Sequence, residues 1–288
     1  MFGLFKKDKE EESDGTQNPE FIELVLKWDS FLLKIETRFN ESLNHAEEAV
    51  MDNLLESDYD MSKTMRAWSG IKSQISGLSD KIETTFDDKV EPQMLAYVER
   101  WDLIDQDQKG VQLAESFYPR IERFEIELEG NVSQKFYNHA IAFLNEDFHC
   151  TQCSGKLEVK KDIFRSHYVS CGYCNTVNTF VPNDKIAEIR WVVENIAKHK
   201  AIKEWDEKIV AHNKCKSFRS LSKGDDKTKL AKAYDVWEIK EKAFWTKYFT
   251  ERASFLPEYE ETIEHDVSVK MDLYFYDDKK RSDLYINN

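Results

Sequence analysis

Apolar residues recur every three or four positions through most of this chain. In the first segment, Trp28, Leu32, Ile35, Phe39, Leu43, Ala46, Val50 and Leu54 line one side of a helix expected from Asn18-Pro19 to about Glu56. Asn18 supplies the N-cap, Pro19 the favoured first-turn proline. A second helix, about 61–89, carries Met65, Trp68, Ile71, Ile75, Leu78, Ile82 and Phe86 at near-heptad spacing. Gly70 and Gly77 lower its helix propensity. Glu91-Pro92 opens a third helix expected to reach about Phe117, and Pro119 begins or kinks a fourth, with Phe124, Leu128, Phe136, Ala140 and Phe143 facing inward. Beyond Val181-Pro182-Asn183, Ile186, Ile189, Val193 and Ile196 predict another helix, continued by Trp205 and Ile209. Ser217–Asp226 reads as a loop. A last long helix, about 227–255, carries Leu230, Ala233, Trp237, Phe244 and Tyr248, with Pro257 just past its end. All five prolines fall at expected boundaries.

Two segments depart from this period. Val267, Val269, Met271, Leu273 and Phe275 alternate with polar or amphipathic neighbours, which predicts a strand. A lone strand needs a partner edge, so it is expected to dock on the chain's other small sheet or on a partner chain; a continuing helix is the alternative. The other departure spans residues 148–182. Leu157-Glu158-Val159, Ile163, Phe164, Tyr168, Val169 and Val177–Val181 are short runs of β-type residues, bounded by turn formers.

Those turns contain Cys150-Thr-Gln-Cys153 and Cys171-Gly-Tyr-Cys174, with seventeen residues between the pairs. C-x2-C-x17-C-x2-C lies in the spacing window of a tetrathiolate zinc site. Two intervening residues let one tight knuckle present both sulfurs to one ion. Ser154-Gly155 and Asn175-Thr176 follow the knuckles, and Gly and Asn tolerate the left-handed backbone such turns need. Knuckle, hairpin, knuckle and strand together resemble a zinc ribbon. The resemblance implies structural Zn²⁺ held by Cys150, Cys153, Cys171 and Cys174. Iron in a rubredoxin-like site and a redox dithiol are the competing readings. His149 and His167 are read as surface or outer neighbours of the site.

The organisation expected is a polar, disordered tail (1–17), a helical region (18–147), the zinc ribbon (148–182), a second helical region (183–264) and a strand or tail (265–288). The fold class is mainly α: an elongated helical bundle or coiled-coil-like body with the small β ribbon inserted. Seven tryptophans among 288 residues favour a globular bundle over a two-stranded seam; a coiled-coil homodimer is the alternative. No apolar run approaches the ~18 residues of a membrane span. The apolar tip within residues 1–7 is too short for stable anchoring. Paired cysteines of zinc type with one unpaired Cys215 point to a reducing, cytoplasmic compartment; Cys215 is read as an inert helical thiol.

Charge divides the chain. Residues 1–150 hold 16 Lys and Arg against 32 Asp and Glu, whereas residues 151–288 hold 25 against 23. The acidic half should repel nucleic acid and anionic membranes. No phosphate-binding glycine loop, zincin motif or nucleophile elbow occurs. The acidic trio Glu122, Glu125 and Glu129 reads as a solvated helix face. The chain is therefore read as a non-enzymatic interaction or scaffold protein. Its ribbon would act as a structural clip or as a recognition head presenting Lys160, Lys161, Phe164, Arg165 and Tyr168 to a protein partner. The alternative is nucleic-acid binding through the ribbon and the basic segment 198–232, with Phe164, Tyr168 and Tyr173 stacking on bases.

Overall fold

The computed structural model describes residues 15–142, 148–158, 165–182, 184–220 and 226–280. The described residues are mainly α-helical, with one small two-stranded antiparallel sheet among them. The chain divides into two compact units, Met1–Phe124 and Glu125–Asn288.

In the first unit, α1 (Pro19–Glu56) begins as expected, with the Asn18 side chain accepting from the Glu20 N–H at 2.8 Å. Its predicted stripe is buried from Trp28 to Leu54, apart from a half-buried Leu43. Asp58 and Tyr59 take left-handed backbone, and Asp60 then caps α2 (Met61–Thr85) by accepting from the Lys63 N–H at 2.8 Å. A π-helical turn (Phe86–Val90) follows.

The third predicted helix is much shorter than its pattern suggests. α3 (Glu91–Met94) makes one turn, and the chain restarts at a 3₁₀ turn, Arg100–Leu103. There the Asp102 carboxylate accepts from the Glu99 N–H at 3.2 Å. Glu99 is not a preferred cap residue, so nothing in the pattern marks this start. From here α4 (Ile104–Ala142) continues through Pro119, which is therefore not a boundary. An interior proline costs about 3 kcal/mol or more. Burying Phe117 and Ile121 on either side contributes roughly 1.5–3 kcal/mol each. Phe117 stacks on Phe39 at 4.0 Å between centroids, and Arg120 lies over the Phe39 ring at 4.5 Å. Tertiary packing thus outweighs the local penalty.

The second unit holds the end of α4, the cysteine module and α5 (Asp184–Lys200), α6 (Ile202–Ser220), α7 (Asp226–Phe255) and α8 (Ile263–Met271). α5 and α6 replace one expected helix. The break is slight: the Ala201 N–H is shared between the carbonyls of Ala197 and Lys198 at 3.1 and 3.2 Å. Residues 217–220, expected in a loop, continue α6. α7 packs against α5, α6 and α8, which explains why its buried residues encircle it. Trp237, Tyr234 and Leu230 join Cys215, Val267, Met271 and Phe275 in one cluster, while Phe244 joins Ile126, Ala201 and Trp205 in another. Cys215 is fully buried.

The predicted C-terminal strand is instead helical. Residues 263–271 form α8, a π-turn covers Asp272–Tyr276, and helix continues to residue 280. Only every second apolar residue of the alternation is buried: Val267, Met271 and Phe275, at steps of four. Val269 and Leu273 are exposed. A step of four drifts by about 40° on an α-helix, and the wider π-turn takes up this drift before Phe275. The expected tail begins its described part as a 3₁₀ turn, Gly15–Gln17. Its first fourteen residues, Phe143, Val159, Ile163, Asn183, residues 221–225 and residues 281–288 lie outside the described residues.

Candidate metal centre

Each cysteine pair sits in a turn closed by the same hydrogen bonds. In the first, the Ser154 N–H donates to Cys150 O at 2.9 Å, and the Cys150 N–H donates to Gly155 O at 2.8 Å. In the second, the Asn175 N–H donates to Cys171 O at 3.0 Å, and the Cys171 N–H donates to Thr176 O at 2.9 Å. The Gln152 N–H points at Cys150 Sγ and the Tyr173 N–H at Cys171 Sγ, both at 3.4 Å. The left-handed residues are Ser154 (φ 57°) and Asn175 (φ 59°), at the same place in each turn. Gly155 serves a different need: a Cβ there would lie 2.6 Å from Tyr173 Cδ2.

A hairpin places the turns together. β1 (His167–Ser170) pairs antiparallel with β2 (Val177–Phe180), His167 opposite Phe180 and Ser170 opposite Val177. His149 and Lys156 form an isolated bridge flanking the first turn. A small core of Cys150, Leu157 and Cys171 is covered by Phe148, Val169 and Cys174. Phe148 meets Phe180 edge to face at 5.6 Å.

The four sulfurs all lie within 4.8 Å of one another. Cys150 Sγ is 3.6 Å from Cys174 Sγ, and Cys153 Sγ is 3.6 Å from Cys171 Sγ. Tetrahedral coordination at ~2.3 Å per Zn–S bond requires sulfur–sulfur edges of about 3.8 Å. The cluster therefore has the size and donor set to hold a metal ion, and is compatible with zinc. Cys150 and Cys171 are buried, Cys174 is half-buried and Cys153 is exposed.

The thiols are electrostatically unequal. Cys150 is lowered to about 6, chiefly by the Cys153 and Gln152 N–H groups, with help from the Asn178 amide. Cys153 is pushed up to about 12. The Gly155 N–H acts to lower it, but the Cys174 and Cys171 sulfurs, burial and Cys150 together prevail. Cys174 is lowered, first by Thr176, whose hydroxyl lies 3.3 Å from its sulfur. A first negative charge is easily placed among these sulfurs and a last one is not, as expected where a divalent cation completes the balance.

Polar side chains also tie the two turns together. The buried Asn178 of β2 reaches both Cys150 and Thr151. The Thr176 hydroxyl donates to Gln152 Oε1 at 2.7 Å. The spacing rule does not identify these residues. A signal was present for Asn178: within Val177–Phe180 it shares the inward parity of Phe180, where a polar residue is unexpected.

His149 is exposed, and His167 is half-buried with its Nδ1 2.9 Å from Arg165 O; neither joins the sulfur cluster. Of the expected partner-facing residues, Arg165 is exposed and Tyr168 is 79% exposed, matched by Tyr173 at 78%. The tyrosines border a cleft of about 520 Å³ that also touches Lys156, Leu157 and Val169. Lys160, Lys161 and Phe164 lie outside the described residues. No helix among the described residues is long and apolar enough to cross a membrane. No family model, curated protein or solved structure matches the chain.

Proposed function

We propose that Cys150, Cys153, Cys171 and Cys174 hold a structural Zn²⁺, making residues 148–182 a zinc ribbon on a helical-bundle body. The single observation that carries this is four sulfurs within 4.8 Å, two of their separations being 3.6 Å. Four thiolates close the coordination sphere and leave no position for a reacting water. The chain is accordingly a non-enzymatic, cytoplasmic interaction or scaffold protein. Arg165, Tyr168 and Tyr173 form the face offered to a protein partner. Large exposed aromatics suit this role, because such side chains dominate interface energetics.

Nucleic-acid binding is the weaker alternative. Lys208 of the basic segment is engaged with Glu241, and Lys200 with Glu251. These cations are partly spent on the protein's own helices.

Metal analysis of the full-length protein tests the site. One equivalent of zinc, lost in Cys150→Ser and Cys171→Ser, supports it; iron or no metal overturns it. A pull-down with and without nuclease tests the partner class. Nuclease-resistant recovery that fails in Tyr168→Ala and Tyr173→Ala supports a protein-binding face. Nuclease-sensitive recovery transfers the assignment to nucleic acid.

A further inference from the structure

We propose that Asn178 is a positioning residue of the metal centre, aiming a side-chain N–H at Cys150 Sγ and fastening the first cysteine turn to the strand after the second. The inference rests on the tetrathiolate reading. Asn178 is 3% exposed. Its Nδ2 donates to Cys150 Sγ at 3.6 Å and to Thr176 O at 3.0 Å. Its Oδ1 accepts from the Thr151 N–H at 2.9 Å and from the Thr151 hydroxyl at 3.0 Å. An asparagine amide has two donor hydrogens and two acceptor lone pairs, so its full capacity is used.

The direction of the amide is determined by its surroundings. A backbone N–H can only donate, so the group facing Thr151 N must be the carbonyl oxygen. The NH₂ group is thereby turned toward the sulfur. Exchanging the two ends would set donor against donor at Thr151 and oxygen against sulfur at Cys150.

The role follows from charge. Four thiolates around a divalent ion leave two excess negative charges, which N–H donors to sulfur disperse. The turns supply such donors from their own backbones, among them Gln152 to Cys150 and Tyr173 to Cys171. Asn178 gives Cys150 a further donor, from the other half of the module. A residue that orients and polarises a ligand in this way typically changes metal affinity 10–100-fold when replaced.

Asn178→Asp and Asn178→Leu in the full-length chain separate this role from simple clamping of Thr151. Aspartate keeps an acceptor for Thr151 but replaces the N–H with an anionic oxygen beside the sulfur. Leucine removes both interactions. If Asn178 serves the sulfur, zinc affinity measured against a chromophoric chelator falls about 10–100-fold in both, with aspartate at least as impaired as leucine. The sulfur-to-cobalt charge-transfer band of the Co²⁺ form also moves to lower energy, because the thiolate loses a donor. An aspartate variant matching wild type while leucine is impaired assigns Asn178 to Thr151 alone and overturns the inference. So does an unchanged band in both variants. Wild-type protein that takes up neither Zn²⁺ nor Co²⁺ overturns the metal reading itself, and this inference with it.

Discussion

Lys208 of α6 and Glu241 of α7 form an ion pair, Nζ to Oε1 3.0 Å, with 13% and 4% of their side chains exposed. The same carboxylate accepts from the Trp245 indole at 2.7 Å and the Trp237 indole at 3.1 Å. The Lys208 ammonium also lies 4.2 Å from the Phe244 ring centre. A carboxylate this deeply buried is tolerable because three donors surround it. Breaking a buried pair from one side usually costs about 3–5 kcal/mol, whereas replacing both partners by apolar residues can be close to neutral. Glu241→Leu should therefore destabilise strongly in chemical denaturation. Lys208→Met with Glu241→Leu should be more stable than Glu241→Leu alone. Simple additivity of the two changes would mean that the pair is not coupled.

A second prediction separates the helical C-terminal segment from the strand its alternation suggests. Phe275 is fully buried, 4.9 Å from the Trp237 ring, and Met271 is buried nearby. Replacing either with alanine should cost about 2–5 kcal/mol. Val269→Ala and Leu273→Ala should stay within about 0.5 kcal/mol. A strand buried on one face would make all four costly.

This contrast bears on what the sequence could convey. α1 and α2 were legible because one face repeats for many turns and Asn18 and Asp60 cap them with their side chains. The alternation at 267–275 was ambiguous, since apolar residues at every second position also fill every fourth. The passage of α4 through Pro119 was not legible, because it depends on contacts with residues some eighty positions away, such as Phe39 on Phe117. The sulfur ligands were legible because coordination requires particular atoms at particular spacings. Asn178, an asparagine in a strand, gains its role only when the hairpin brings it to Cys150.

Glycines offer a third test. A Cβ at Gly70 or Gly77 meets nothing within 4 Å, so alanine at either should stabilise α2 by about 0.5–1 kcal/mol. Gly130 in α4 differs, because a Cβ there would collide with the Cβ and ring of His199. Gly130→Ala should destabilise by about 1–3 kcal/mol. Adding His199→Gly, which removes both the Cβ and the ring, should recover part of that loss, measured by thermal or urea unfolding.

The matching left-handed residues of the two turns should respond unequally to glycine. Ser154 at φ 57° bears a strain of about 1–2 kcal/mol that asparagine at Asn175 tolerates better. Ser154→Gly relieves this strain but increases unfolded-chain entropy, leaving a net gain of about 0.5–1 kcal/mol. Asn175→Gly should be nearly neutral. Melting of the metal-loaded module, followed by loss of bound metal, distinguishes the two.

Titration of the metal-free protein should expose the inequality of its thiols. Cys150, lowered to about 6 by N–H donors led by those of Cys153 and Gln152, favours the folded state when ionised. Its contribution is complete above the ordinary thiol value of ~8.5 and disappears as pH falls through about 6. Cys153, pushed up to about 12 chiefly by neighbouring sulfurs against the lowering effect of Gly155, acts in the opposite sense. Its contribution is complete below ~8.5 and is lost as pH rises toward 12. Thiolate absorbance should therefore show a step near pH 6 and a thiol that persists above pH ~10. Zinc must displace every remaining proton, so loading at neutral pH should release protons and acidification should expel the metal. A titration with all thiols near 8.5 would mean that the N–H groups of the first turn do not hold Cys150 as its geometry requires.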